Sequence, residues 1–204
     1  MTARNAHIFE LQTARLRLRG LRTQDAATVA RETANPRVAH FLNDVPDPYT
    51  TDMAHQWIVR RIERTAHGRG PTLAITPAAA AAAPLLGTVA LRIHRRDQRA
   101  ELGYWLAEHA WGQGLASEAA HALVAWGFTQ GLHKIYARVM SDNPGSIRVL
   151  EKLGMVLEGH LRAHLRRGGT FVDVLEWSVL ATEWATRREA GTAPAPSSGP
   201  HAVR

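Results

Sequence analysis

The order of periodic segments along this 204-residue chain predicts one α+β (α/β) domain, a mixed but mostly antiparallel sheet of about seven strands flanked by about four helices. Two observations carry the prediction. Three strand-like segments, Thr72 to Thr76, Leu85 to Ile93 and Arg99 to Leu106, follow one another with no helix between them, which reads as an antiparallel meander. The segments after Gly114 instead run helix, strand, helix and hairpin, which completes seven strands and four helices in the order β, α, α, β, β, β, α, β, α, β, β.

Leu16-Arg-Leu-Arg-Gly-Leu21 alternates apolar and basic residues as a half-buried strand does. Thr23-Gln-Asp25 supplies a capped entry to a helix through about Thr33, and Asn35-Pro36 stops it. His40 to Thr50 carries Asn43, Asp44, Pro46, Asp47 and Pro48 and reads as a loop, before a second helix near Thr51 that bears Trp57, Ile58 and Ile62. Pro77, six alanines and Pro84 form a low-complexity loop between the first two strands of the meander. From Gly114, the residues Ala116, Ala119, Ala120, Leu123, Val124 and Gly127 recur with helical period and predict one buried face ending at Gly131. Lys134 to Met140 reads as a strand, Pro144 to Lys152 as a helix with Gly154 past its end, and Leu157 to Leu165 with Thr170 to Leu180 as a hairpin around Gly168-Gly169. Residues 189–204 are rich in Gly, Ala, Pro and Ser, so the expected domain is 1–188 and the expected tail, 189–204, is disordered.

Composition narrows the chemistry. The chain has no cysteine, which excludes disulfides, thiolate metal sites and a thiol nucleophile, and fits a reducing cytoplasm. Lys134 and Lys152 are the only lysines, so the net charge of +7 is carried by arginine, as solvated surface or as attraction to an anionic cofactor, RNA or ribosome. No apolar stretch approaches the ~18 to 20 residues of a membrane span, and a cytoplasmic location with no membrane partner is expected. Trp57, Trp105, Trp126 and Trp177 each lie in an apolar pattern and read as core or edge of core. His160 and His164 stand four apart on a predicted strand without further ligands, so no metal is expected.

Glu101 to Glu118 is the most telling run, because a strand passes through a glycine-rich turn into a helix. Gly112 and Gly114 let backbone N–H groups approach an anion, and the helix start adds unpaired donors and a positive dipole end. A nucleotide triphosphate loop fails, because Leu115-Ala116 stands where Lys and Ser or Thr are required. A dinucleotide fingerprint lacks its third glycine, Ser117 occupying that place, and the preceding meander argues against βαβ units.

Trp111-Gly-Gln-Gly-Leu-Ala-Ser-Glu-Ala119 resembles the pyrophosphate-binding turn of the GCN5-related N-acetyltransferases (GNAT). Glu101-Leu-Gly-Tyr-Trp-Leu106 is similar to that family's fourth strand, Asn143-Pro-Gly-Ser146 to the motif opening its fourth helix, and Glu151 to Gly159 to the turn into its sixth strand. Gly169 to Val174 resembles the last strand of the RimJ/RimL-like branch, the ribosomal-protein N-alpha-acetyltransferases. The resemblance covers roughly residues 8 to 186.

It implies an acetyl-CoA-dependent transfer to a primary amine, most simply the N-terminal α-amine of a ribosomal protein, by a monomer or homodimer with no direct nucleic acid contact. A small-amine or antibiotic acetyltransferase, and a noncatalytic CoA- or RNA-binding domain, are the alternatives. Acetyl-CoA would lie along backbone near Trp105 and Leu106, with Gly112, Gln113, Gly114, Leu115, Ala116 and Ser117 around the pyrophosphate and Asn143 bonding the cofactor by its amide. Ser146 would protonate or hydrogen-bond the departing thiolate, and Glu101 would act as base directly or through water; an ordinary helix-start hydroxyl and a carboxylate paired with Arg99 or a cross-strand arginine are the structural readings of the same residues. Leu150 stands where many relatives carry a tyrosine acid, and Trp111 where they often carry Gln or Arg. Acceptor choice would fall to the loop, where Asp44 and Asp47 would attract a cationic substrate or, beside Pro46 and Pro48, are plain solvated loop residues, and to the hairpin Arg166 to Asp173.

Overall fold

Alternation and helical period resolve into eight strands and six helices over the residues that the computed structural model describes, 9–42, 45–79 and 83–189. The strands are β1 (Leu11–Gln12), β2 (Leu16–Gly20), β3 (Thr72–Pro77), β4 (Gly87–His94), β5 (Arg99–Leu106), β6 (Lys134–Met140), β7 (Val156–Arg167) and β8 (Thr170–Leu180). The helices are α1 (Ala26–Thr33), α2 (Pro36–Ala39), α3 (Thr51–Ala66), α4 (Leu115–Thr129), α5 (Pro144–Lys152) and α6 (Ala181–Glu189). The strands make one sheet in the order β1-β2-β3-β4-β5-β6-β8-β7. Every pairing is antiparallel except β5 with β6, where a helical crossover through α4 permits a parallel neighbour.

That parallel pairing is short. Arg99, Ala100 and Glu101 are in register with Lys134, Ile135 and Tyr136, and beyond Glu101 the two strands part. β5 stays paired with β4 as far as Leu106, and β6 with β8 as far as Met140, so the sheet forks into two arms. α4 packs on one face of the sheet over Leu18, Ile75, Val89, Leu102 and Ile135, all essentially inaccessible. α1 and α3 cover the other face through Val29, Ala54 and Ile58 on Ala74 and Leu85. Both faces of the central strands are thereby covered, as β3 records in five consecutive buried residues.

Beneath α1 lies a buried ion pair. Arg19, 5% exposed, makes two 2.8 Å hydrogen bonds to Asp25, 8% exposed, whose Oδ2 also accepts from the Arg22 N–H at 2.8 Å. The ion pair ties β2 to the start of the first helical segment.

Four expectations need correcting. Asn35-Pro36 does end α1, but it also opens α2, because the Asn35 side chain accepts from the Arg37 N–H at 2.9 Å and Pro36 needs no donor at the first helical position. α3 buries Ile58 yet leaves Ile62 41% exposed. β1 and α6 were not anticipated; Leu11-Gln12 is too short to show a period, and α6 is anchored by Trp184 against His121 and Phe128. Glu189 is the last residue of α6 rather than the first of a tail, and residues 190–204 lie outside the described residues. The four tryptophans expected in or beside the core pack against it half-buried. Among the described residues no helix is long and apolar enough to cross a membrane.

Candidate active site

The fork between β5 and β6 opens into a cleft of about 1080 Å³. One arm leads from β5 into the glycine turn and α4, and the other from β6 into α5. Gly112 and Gly114 both have φ of +74°, a left-handed conformation that a side chain would strain. Gly114 is the N-cap of α4 and contributes no side-chain cap. The first intrahelical acceptor is Gly114 O, bonded by Glu118 N at 3.1 Å, so the N–H groups of Leu115, Ala116 and Ser117 have no partner within the helix. These groups border the cleft, and together with the helix dipole they suit a diphosphate.

Side chains outside the turn hold it in place. Glu118 accepts from Thr13 Oγ1 at 2.6 Å, from the Arg15 N–H at 2.9 Å and from Arg15 Nε at 2.7 Å, and Arg15 Nη1 donates to Gln113 O at 2.9 Å. Burial acts to raise the Glu118 pKa, but the bonds from Thr13 and Arg15 outweigh it and hold the carboxyl below its ordinary value. Trp111 donates its indole N–H to Leu106 O at 2.8 Å, bridging the end of β5 to the turn, and the Arg37 guanidinium lies 5.6 Å over its ring.

The second arm presents Asn143 and Ser146. Asn143 caps α5, its Oδ1 accepting from the Ser146 N–H at 3.0 Å, which leaves its amide hydrogens as donors. Ser146 Oγ lies 2.6 Å from the hydroxyl of Tyr104, which reaches across the fork from β5. Burial pushes the Tyr104 phenol far above its ordinary pKa, only partly offset by the Ser146 bond, so it stays protonated at neutral pH.

Deeper in the cleft Glu101 sits at the point where the strands part. Its Oε2 accepts from Arg92 Nη1 at 2.9 Å, across the β4–β5 ladder, which is the cross-strand arginine pairing foreseen for it. Among the described residues it is the one carboxylate that lines the cleft.

The fold therefore gathers Glu101, Trp105, Leu106, Gly112, Gly114, Leu115, Ala116, Ser117, Asn143 and Ser146 around one space. Gln113 stands apart: it is exposed and its side chain folds back to His109 O at 2.9 Å, so only its backbone belongs to the turn. Leu106 presents a carbonyl already engaged by Trp111. Asp47 is exposed and Asp44 lies outside the described residues. His160 and His164 do not converge, since β7 breaks register between Leu161 and Leu165; His160 pairs with Asp173 at 2.7 Å and His164 borders the cleft. No group of three or more metal-ligand side chains occurs among the described residues.

Several contributors were not singled out from the sequence. Tyr104 looks like an inward strand residue, and only the approach of α5 gives its hydroxyl a partner. Arg15 and Arg167 act over large sequence separations. Arg167, at the hairpin tip, donates to Ala39 O at 2.7 Å and His40 O at 2.9 Å and also bonds Leu42 O, clamping the segment after α2 beside the cleft.

Comparison with known proteins agrees with this geometry. A family model described as Acetyltransferase (GNAT) domain matches residues 15–156. The chain is 31% identical over 177 residues to an uncharacterized N-acetyltransferase, p20, of Bacillus licheniformis, covering 86% of this chain and 98% of that one. A ribosomal-protein-serine acetyltransferase of Escherichia coli is 38% identical over 80 residues, 38% of this chain and 45% of that protein. Among solved structures, the RimL ribosomal L7/L12 alpha-N-protein acetyltransferase in complex with coenzyme A superposes with a TM-score of 0.77 at 19% identity, over 84% of this chain and 98% of that one. A ribosomal-protein-S5-alanine acetyltransferase from Vibrio fischeri superposes with a TM-score of 0.75 at 22% identity, over 86% and 98%.

Proposed function

Because this chain belongs to the GNAT acetyltransferase family and is an N-acetyltransferase, we propose that its acceptor is the terminal α-amine of a protein chain, a ribosomal protein being the favoured case. Acetyl-CoA, the donor used by this fold, supplies an activated thioester. The unpaired N–H groups at the start of α4 would hold its diphosphate, on a turn that Arg15 fixes through Gln113 O, and the Asn143 amide would donate to the cofactor from the opposite arm.

The observation that carries the acceptor reading is the scarcity of bases in the cleft, whose described lining offers one carboxylate, Glu101, and one imidazole, His164. Glu101 is the single carboxylate among the described residues that line the cleft, and it is already paired with Arg92. An α-amine has a pKa of about 7.7 to 8.0 against about 10.4 for lysine, so its neutral form at pH 7 costs roughly 3.5 kcal/mol less to reach. A carboxylate with an arginine partner, acting through water, suffices for the first and is poorly matched to the second. Ser146 would give its proton to the departing sulfur while drawing one from Tyr104, whose phenol burial keeps protonated, and the proton released by the acetylated amine would return to Tyr104 through water in the cleft. The likeness to the E. coli ribosomal-protein-serine acetyltransferase supports the same acceptor class.

Labelled acetyl-CoA offered with N-terminal peptides of ribosomal proteins, and separately with a panel of polyamines and aminoglycosides, tests the reading. Label is expected on the peptides, at the α-nitrogen by mass spectrometry. Label confined to lysine side chains or to the small amines would overturn it.

A further inference from the structure

The helix α3 carries Trp57, Arg60, Arg61 and Arg64 at i, i+3, i+4 and i+7, the spacing of one helix face, and all four line the cleft. Beneath them on β4 lies Arg92. Arg61 stands 5.2 Å over the Trp57 ring. Among the described residues no carboxylate pairs with Arg60, Arg61 or Arg64, and Arg92 has only Glu101.

This arrangement works against the free protein. Like charges one turn apart on a helix repel. Burial first, and then Arg64, Arg92 and Arg60, lower the pKa of Arg61, the sign of cations crowded without counterions. Its guanidinium nevertheless stays charged at any physiological pH. The cluster is also remote from the diphosphate cradle: Glu101, level with Arg92, is five residues from Leu106, where β5 turns towards α4, roughly 17 Å at the rise of a strand. The donor's diphosphate cannot serve both ends.

We propose that Arg60, Arg61, Arg64 and Arg92 form an anion-reading subsite for the acceptor, and that the acceptor carries negative charge close to its reactive amine, as acidic side chains directly following a free N-terminus. Guanidinium forks bind carboxylates and phosphates alike, so the shared chemistry is an anion beside an amine. Arg60 and Arg64 lie one helical turn apart, roughly 6 Å, a row suited to successive acidic residues of an extended peptide. The same cluster repels polycationic amines. This inference rests on the N-terminal acceptor reading and names the sequence that reading would favour.

The test is steady-state acetylation by the full chain of two peptides with the same N-terminal residue, one with Asp and Glu at positions two to four and one with Lys there, alongside phosphoethanolamine and ethanolamine. The acidic peptide is expected to show a kcat/KM about ten-fold higher, with the ratio shrinking as salt rises. In an Arg61→Gln, Arg64→Gln double variant the ratio should fall towards one, while Arg61→Lys, Arg64→Lys, which keeps the charge, should retain most of it. Equal rates for the two peptides, or an undiminished ratio in the glutamine variant, would overturn the proposal. So would weakened acetyl-CoA binding by calorimetry in the glutamine variant, which would assign the arginines to the donor. Arginine-dependent acetylation of phosphoethanolamine, with neither peptide modified, would uphold the anionic subsite and overturn the N-terminal acceptor. Acetylation of both peptides without preference would do the reverse.

Discussion

At Tyr104 the alternation of a strand and the chemistry of a site coincide, because the side chain that packs towards α4 also ends in a hydroxyl 2.6 Å from Ser146. If the two pass one proton, they act as a unit and their losses do not add. Ser146→Ala is expected to lower kcat by about ten- to hundred-fold, Tyr104→Phe by about as much, and the double variant by little more than either. Pre-steady-state acetyl transfer measures this; a multiplicative double variant would separate the two roles. Tyr104 exposes the limit of reading at this scale. Ser146 and Asn143 were legible because Asn143-Pro-Gly-Ser146 resembles the motif that opens the family's fourth helix. Tyr104 was not, because its partner comes from 42 residues away and no local period marks it. Arg15, whose partner Glu118 lies 103 residues on, was hidden for the same reason.

Among the elements, the turn into α4 depends on the strands at the far edge of the sheet. Glu118 joins Thr13 and Arg15 to the first turn of that helix. Its pKa is lowered on folding, so the unfolded chain binds the proton more tightly. The stability it contributes is therefore fully present above the ordinary carboxylate pKa of about 4.3, and is lost as the pH falls through the lower folded value. Glu118→Gln should melt below wild type at pH 7, and the gap should narrow as the pH drops from about 5 to 3. Thermal melts of both proteins across that range check the sign, and a gap that widens on acidification would contradict it. The elements with long periods or strong stops, β5, β6 and α5, are found where the sequence placed them. α2 was missed because four residues show no period, and Asn-Pro signals an end and a beginning equally well. α6 had a usable signal in Glu183, which accepts from the Leu180 N–H at 2.9 Å, the reciprocal half of a capping box.

For the molecule as a whole, the cleft exists because covered sheet surfaces on both sides hold the two arms apart. Arg19 and Asp25 contribute to that frame from beneath α1, and removing one partner leaves the other charge buried and uncompensated. Asp25→Ala is expected to cost about 3 to 5 kcal/mol, a fall in Tm of about 10 °C for a chain of this size, with acetyl-CoA affinity retained at temperatures below the transition. Calorimetric melting and binding isotherms test both halves of that statement. The meander and the order of elements were legible from the segments, and the mixed sheet followed from the family resemblance. The fork was not, since it depends on how far β5 and β6 stay in register, which three residues settle.

The fork has a mechanical consequence. The cradle travels with one arm and Ser146 with the other, so the distance between a held thioester and its proton donor is an aperture, set by the angle between two parts of the sheet. Tyr104 spans that opening from β5 to α5. The hydrogen bond that readies a proton is thus also a strut, and a substitution there changes how wide the jaws stand as well as what they deliver.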